Sequence, residues 1–246
     1  MLRDRDFAGE AGLDWLEQSS LLLLSRVLED RIAGRAALVS SFGAESAVLL
    51  HLASRVDPAV PVLFVDTRMM FQETLDYQRA LSAELGLSDV RTVSADATEL
   101  RREDVFGRLH LKDADACCAM RKVRPLEKAL EGFDAWINGR KRHQSDDRAA
   151  IRPIEEDGEG RLRINPLLAW ERADLEAYYV RHGLPRHPLT GHGFTSIGCA
   201  PCTVPPAAGA DPRSGRWAGS DKTECGIFVS GGRIVRRRDE DLRRSA

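Results

Sequence analysis

The sequence lacks strong net charge, long apolar runs and abundant cysteine. The formal net charge of the 246 residues is −2, so charge-driven binding must be local, and nothing global favours nucleic acid or an anionic membrane. The longest apolar run near the start, Leu21 to Leu24, is far too short to span a bilayer. The opening MLRDRDFAGE lacks the order of an export signal. We therefore expect a cytoplasmic protein that binds neither nucleic acid nor membrane.

Only five cysteines are present, yet four of them are closely spaced in two pairs. Cys117 and Cys118 are adjacent, Cys199 and Cys202 form a Cys-x-x-Cys motif, and Cys225 stands alone. Cytoplasmic thiols stay reduced, so such pairs more often bind metal or perform chemistry than form disulfides. By spacing alone, four thiolates suit a tetrahedral zinc ion as well as an iron–sulfur cluster. A reduced, buried pair without metal is the third interpretation.

Alternating strand-like and helix-like segments predict an α/β fold. The N-terminal segment 1–35 contains one amphipathic helix. Buried strands are predicted at AALVS, VPVLFVDT, VRTVS and AWING. The helices between and after them are predicted from about Ala44 and at FQETLDYQRALSAELG, CCAMRKVRPLEKALEG and NPLLAWERADLEAYYVRHGL. This order predicts one domain over 1–246 with a mostly parallel, doubly wound sheet covered on both faces.

The C-terminal region is rich in glycine and proline and shows little periodicity. Long loops of this kind are usually disordered or functional, and cysteines and two arginines favour function. We expect a mobile tail over 203–246 that carries Cys225. Lys222, Arg213 and Arg216 lie near this cysteine in sequence, and nearby cations lower the pKa of a thiol.

Three predicted strands end in polar or cationic residues. SSFGAES follows the first, Asp66 and Thr67 end the second, and Gly139 precedes three cations after AWIN. Ligands of doubly wound sheets bind beyond the carboxyl ends of the strands, near helix N-termini that hold anions. These strand ends therefore predict a pocket for a nucleotide phosphate.

The chain resembles the sulfonucleotide reductases of the adenine nucleotide alpha hydrolase-like superfamily. The resemblance runs from about Ser40 to Phe228 and depends on the motifs SFGAES, VDTRMMFQET, CCAMRKVRPL, WINGRKRHQS, GCAPCT, GRW and KTECGIF. The four paired cysteines resemble those of the assimilatory adenylylsulfate (APS) reductase branch. Two departures are Phe228, where the family generally has His, and Arg68, where Gly is common.

The resemblance implies an activity and a cofactor. Cys117, Cys118, Cys199 and Cys202 would hold a [4Fe-4S] cluster. Cys225 would attack the sulfur of APS, release AMP and carry the sulfonate as S-sulfocysteine, from which a thioredoxin or glutaredoxin-like reductant would release sulfite.

Eleven residues at the matching positions are expected to bind the substrate. Their hydroxyl and amide groups would hold the nucleotide, and their cations would stabilise negative charge on the departing phosphate. The set is Ser40, Ser41, Phe42, Gly43, Asp66, Thr67, Lys122, Gly139, Arg142, Arg213 and Arg216.

Three other functions remain open. The same mechanism would serve the 3′-phosphorylated substrate, PAPS. An ATP pyrophosphatase of the same superfamily is disfavoured because SFGAES lacks the second Gly and the Asp of the Ser-Gly-Gly-x-Asp-Ser loop. A nonenzymatic zinc-binding interaction protein would use the same four cysteines. The sequence leaves a monomer and a homo-oligomer equally open.

Overall fold

The fold is built on one six-stranded sheet. The structure, a computed structural model, describes residues 9–145, 148–217, 222 and 226–227. The strands are β1 (Ala36–Ser40), β2 (Val62–Val65), β3 (Val90–Val93), β4 (Ala135–Ile137), β5 (Ile154–Glu156) and β6 (Leu162–Ile164). Their spatial order is β3-β2-β1-β4-β6-β5, with all pairs parallel except β5–β6. The predicted, mostly parallel α/β sheet is confirmed.

Helices cover the sheet. They are α1 (Glu10–Leu28), α2 (Ser46–Val56), α3 (Gln72–Glu84), α4 (Ala97–Glu103), α5 (Leu109–Lys112), α6 (Ala114–Cys118), α7 (Arg124–Ala129) and α8 (Arg172–His182). A π-helical turn, Ala119–Val123, joins α6 to α7, and 3₁₀ turns occupy Arg142–Gln144, Pro188–His192 and Ala200–Cys202. The larger apolar core lies between one sheet face and α1, α2 and α8. Leu126, Leu130 and Phe133 pack in a second cluster on the other face.

The chain changes direction across the sheet between β1 and β4. From β1 the strands proceed through β2 to β3 on one side, whereas β4 and β6 lie on the other. Ligands of doubly wound folds bind in the crevice that this reversal opens at the carboxyl ends of the strands. The topology therefore fixes where a ligand site is expected.

Several local predictions need correction. VRTVS forms β3, but it lies at the sheet edge and is half-exposed, because only β2 pairs with it. The pattern analysis missed β5 and β6, since strands of three residues carry too short an alternation to detect. The predicted continuous helix after Cys117 is two α-helices joined by the π turn. The helix expected from about Ala44 begins at Ser46.

Within the described residues, no helix combines the length and apolarity needed to cross a membrane.

His187 is a buried capping residue of the fold. Its Nδ1 accepts a hydrogen bond from the Leu189 amide at 3.2 Å, and its Nε2 lies 2.9 Å from the Thr74 hydroxyl. Burial lowers the pKa of His187 to about 4. In the unfolded chain the His187 imidazole has its ordinary pKa of about 6.5, so it binds a proton more readily there than in the folded protein. The neutral, buried imidazole therefore contributes its full stabilisation above about pH 6.5. That contribution is lost as the pH falls towards 4.

We predict that His187→Asn, which keeps an acceptor for the Leu189 amide, weakens the pH dependence of stability. The free energy of unfolding of the wild type should lose roughly 3 kcal/mol between pH 6.5 and 4 through this group, and the variant should lose correspondingly less. Urea unfolding at several pH values measures the difference. His192→Asn, at an exposed position, is the matched control, and equal slopes for the wild type and His187→Asn would contradict the prediction.

Candidate active site

A cavity of about 340 Å³ opens where the sheet reverses direction. Ser40 and Ser41 line it at the end of β1, and Gly139 lines it after β4. Ligand pockets commonly have volumes of roughly 300–1,000 Å³. The cavity therefore lies where the topology predicts a ligand and is large enough for a small molecule.

The turn after β1 brings backbone close to the cavity. Phe42 has φ +47°, and its amide donates to the Ser40 hydroxyl at 3.1 Å. Its ring packs edge-to-face on Phe64 in the core and is not part of the cavity wall. Gly43 does line the cavity, and a β-carbon there would lie 3.3 Å from the Ile197 carbonyl oxygen. Ser40, Ser41 and Gly43 thus line the cavity as predicted. The Phe42 side chain instead anchors the turn by packing in the core.

The turn after β2 connects the cavity to a cysteine. Thr67 lines the cavity, and its hydroxyl lies 3.2 Å from the Cys199 sulfur. Asp66 instead accepts a hydrogen bond from the Arg68 amide at 2.8 Å and is not part of the cavity wall. Arg68 has φ +57° and an exposed side chain. This left-handed backbone explains why glycine suits the position.

The cations after β4 bond mainly to other protein groups. Arg140 pairs with Glu155 at 2.5 Å, and Lys141 with Glu45 at 2.8 Å. Arg142 donates to the Ile151 carbonyl at 3.0 and 3.1 Å and is not part of the cavity wall. The structure therefore does not bring Arg142 to the expected substrate site.

Glu45 places a carboxylate beside the cavity at the start of α2. Burial alone would raise its pKa, but the Lys141 ammonium outweighs burial and holds the pKa of Glu45 below its usual value. The Gln144 amide also donates to it at 3.1 Å. The carboxylate is thus ionised and compensated, so its repulsion of a bound anion is reduced.

The four paired cysteines come together beside the cavity. Burial and then the neighbouring Cys118 raise the pKa of Cys117 to about 12, with smaller contributions from Cys199 and Cys202. Burial and Cys199 likewise raise the pKa of Cys202. Burial also opposes ionisation of Cys199, but the Lys122 ammonium and the Thr67 hydroxyl outweigh it and lower its pKa. Thiols from two segments that are distant in sequence thus lie close enough to raise each other's pKa.

Two contacts hold these segments in place. Arg121, in the π turn, pairs with buried Asp104 at 2.7 Å and donates to the Thr67 carbonyl at 2.8 Å. On the other side, Met70 and Cys199 form an antiparallel bridge. The loop after β2 therefore joins both pairs of cysteines.

The backbone at the adjacent cysteines is helical. Cys118 has φ −66° and ψ −40°, which is ordinary helical backbone. The π turn follows Cys118 directly, and such turns occur frequently at functional sites.

No group of three or more His, Cys, Asp or Glu side chains has the arrangement of a metal site in the described part of the chain. All four paired cysteines belong to that part.

Three predicted cations line the cavity, Lys122, Arg213 and Arg216, and two of them, Lys122 and Arg216, act electrostatically on Cys199. Lys122 is buried and acts electrostatically on Cys199 and Cys202. The Arg216 guanidinium lies 4.6 Å from the Trp217 ring centre and donates to the Ile197 carbonyl at 3.2 Å. This end of the cavity is therefore suited to an anionic group.

Cys225 and Phe228 lie outside the described residues. Described residues on either side of Cys225 nevertheless contact the site. Lys222 pairs with Asp115 on α6, and Ile227 lines the cavity.

The sequence comparisons identify the family. The profile of the phosphoadenosine phosphosulfate reductase domain matches residues 35–205, which hold the whole sheet and both pairs of cysteines. The chain belongs to this family.

Relatives of this reductase family extend over most of the chain. The chain is 46% identical to an adenosine 5′-phosphosulfate reductase of Mesorhizobium japonicum, over 91% of this chain and 89% of the relative. It is 41% identical to a phosphoadenosine 5′-phosphosulfate reductase of Gloeobacter violaceus, over 78% and 81%. A crystal structure of phosphoadenylyl-sulfate reductase from Candida auris matches with a TM-score of 0.64 and 25% identity, over 80% of this chain and 98% of that chain.

Some wall residues of this family member were missed by sequence reasoning. Glu45 lies two residues after Gly43 in the predicted phosphate-binding turn. This position was the one feature of the sequence that could have indicated that Glu45 lines the cavity. Arg148, Arg172 and the segment 195–197 also line the cavity. They lie in or near irregular segments without helical or strand periodicity. In such segments the sequence does not indicate which side chains face a cavity.

We predict that Gly198→Ala displaces Arg216. A β-carbon at position 198 would lie 2.2 Å from Arg216 Nη2, and the long side chain moves more easily than the backbone. APS should then bind about tenfold or more weakly, since a charged hydrogen bond contributes roughly 1.5–3 kcal/mol. Calorimetric titration with APS in a Cys225→Ser background, which prevents turnover, measures this. Gly191→Ala is the matched control, because no atom lies within 4 Å of its added carbon. Equal affinity in both variants would contradict the prediction.

Proposed function

We propose that this protein reduces adenosine 5′-phosphosulfate (APS) to sulfite and AMP in sulfate assimilation. One observation carries the proposal: a nucleotide-sized cavity at the reversal point of the sheet has its cationic end beside the four-thiol site. Relatives named adenosine 5′-phosphosulfate reductase, at 46% and 49% identity, support the same substrate. We expect the reaction in the cytoplasm, where thiol reductants stay reduced.

The nucleotide would bind along the strand ends. The backbone and hydroxyls of Ser40, Ser41 and Gly43 would hold its phosphate beside the start of α2, whose free N–H groups favour an anion. Thr67 and Gly139 would line the adjoining walls. The sulfate would then point towards Lys122 and Arg216 beside Cys199, and Arg213 would add positive charge at the cavity wall.

Cys225 would carry the group transfer. Its thiolate attacks the sulfur of APS, an S–S bond forms, and the S–O bond to phosphate breaks with its electron pair leaving on AMP. Cations at the sulfate end would stabilise that departing charge without having to reorganise.

An external dithiol would complete the cycle. One thiolate of a thioredoxin or glutaredoxin-like protein attacks Cys225 Sγ, and sulfite leaves with the electron pair of the S–S bond. The second thiol of the reductant then attacks the mixed disulfide and returns Cys225 to its thiolate. Two electrons thus come from the reductant, which becomes a disulfide.

A [4Fe-4S] cluster would be held by Cys117, Cys118, Cys199 and Cys202. The donor set fits because these are four interacting thiols, three of which are almost fully buried. When the cluster is bound, its iron would compensate the four thiolates and hold the two cysteine segments together beside the sulfate end. Lys122, which lines the cavity and acts on Cys199 and Cys202, is the residue suited to connect the two sites.

PAPS reduction by the same steps is the second candidate, favoured by the Gloeobacter relative named for that substrate. Sulfite release from APS and from PAPS, with thioredoxin present, compares the two. We expect APS to be preferred. Preference for PAPS would assign the second function, and pyrophosphate release from ATP would assign a third.

We predict that APS, without reductant, adds one SO₃ group to the wild-type protein and that peptide mapping locates it on Cys225. The Cys225→Ser variant should still bind APS but form no adduct and release no sulfite, because the serine hydroxyl is a far weaker nucleophile. Intact mass and calorimetric binding measure the two properties. An adduct at another position, or sulfite release by the variant, would contradict the assignment.

A further inference from the structure

Lys222 is a buried lysine three residues before Cys225. The residue is 6% exposed, its ammonium lies 2.5 Å from the Asp115 carboxylate, and it lies 5.7 Å from the Trp217 ring centre. Lysines are almost never buried this far unless they are paired. Removing one member of a buried ion pair leaves an uncompensated charge and is strongly destabilising. The pair is therefore a strong local constraint on the chain.

A second contact lies on the other side of Cys225. Ile227 packs on the apolar cluster that contains Leu63 and Val65 and also lines the cavity. Since consecutive Cα atoms are about 3.8 Å apart, Cys225 is tied within about 11 Å of Lys222 and about 8 Å of Ile227, whatever its conformation. The two contacts together fix described residues on either side of Cys225, Lys222 at α6 and Ile227 at the cavity.

The partner of Lys222 belongs to the helix of the paired cysteines. Asp115 lies on α6 two residues before Cys117, and the Asp113 side chain caps that helix. An ion pair here joins the Cys225 segment to the element that carries Cys117 and Cys118.

The same pair changes the expected role of Lys222. From sequence, its charge should lower the pKa of the Cys225 thiol. The Asp115 carboxylate compensates that charge, so little of its field remains to favour a thiolate nearby. Lys222 is therefore better suited to hold the segment than to activate the nucleophile.

We propose that the Asp115–Lys222 ion pair is the positioning contact that holds the Cys225 segment at the cavity. The inference rests on the proposed role of Cys225 as nucleophile. Neither residue touches the reacting atoms in this account. Both act by setting the distance between the thiol and the sulfate of bound APS.

The test is the single-turnover rate of Cys225 sulfonation by APS without reductant, followed by intact mass. Lys222→Met and Asp115→Asn should each slow this step on the order of 10²-fold, the usual cost of a misplaced reacting group. Their affinity for APS should change little, and Lys222→Arg should retain most of the rate. Lys128→Met, at an exposed position on α7, is the matched control and should match the wild type. Combining Lys222→Met with Asp115→Asn should add no further loss, because both remove one contact.

A second measurement separates positioning from activation. The pH dependence of Cys225 alkylation by iodoacetamide, without nucleotide and mapped by peptide mass, reports the thiol pKa. Positioning predicts the same apparent pKa in the wild type and in Lys222→Met. If Lys222 instead activates the thiol by charge, Lys222→Met should raise that pKa and slow alkylation, which would overturn the proposal.

Two further outcomes are decisive. Wild-type sulfonation rates in Lys222→Met and Asp115→Asn would refute the positioning role alone, whereas a wild type that gains no sulfonate on Cys225 would refute the proposed function and this inference with it. If the single variants do not fold, the charge-swapped protein, Asp115→Lys with Lys222→Asp, replaces them. Recovery of sulfonation there supports the pair, and a folded but inactive swap overturns it.

Discussion

The placement of four thiols together, three of them buried, is the constraint on which the site depends. Burial and mutual repulsion raise the pKa values of Cys117 and Cys202, so these groups would not ionise together on their own. Positive charge must compensate them if they are to act as thiolates. Lys122 supplies part of it, and in our proposal the iron of a bound cluster would supply more. Lys122 also lines the cavity, at the end where an anionic group would bind.

The loop after β2 connects the four-thiol site to the cavity in which the substrate is proposed to bind. Through Thr67 it contacts Cys199 with a hydroxyl and Arg121 with a carbonyl, while the same residue lines the cavity. Thr67 is therefore in contact with both the thiol site and the cavity. The parallel sheet makes this possible, because the ends of β1, β2 and β4 converge at one edge.

The general fold and the position of the site could be predicted from the sequence. Apolar runs and glycine turns mark β1, β2 and β4, and polar residues at their ends mark the cavity. Side-chain direction could not be predicted in the same way. Arg142 donates to the Ile151 carbonyl, and the Phe42 ring packs in the core. The local backbone geometry of each loop determines these side-chain directions. The Asp115–Lys222 pair joins residues 107 positions apart, which no local pattern reveals.

The most direct test of the account is the metal content of anaerobically purified protein that turns over APS. We predict about four iron and four acid-labile sulfide atoms per chain, as the [4Fe-4S] composition requires. Cys225→Ser should keep this content, since that residue is assigned to chemistry, and Cys199→Ser should lose it. Stoichiometric zinc, or full activity in protein that contains neither iron nor sulfide, would contradict the central claim.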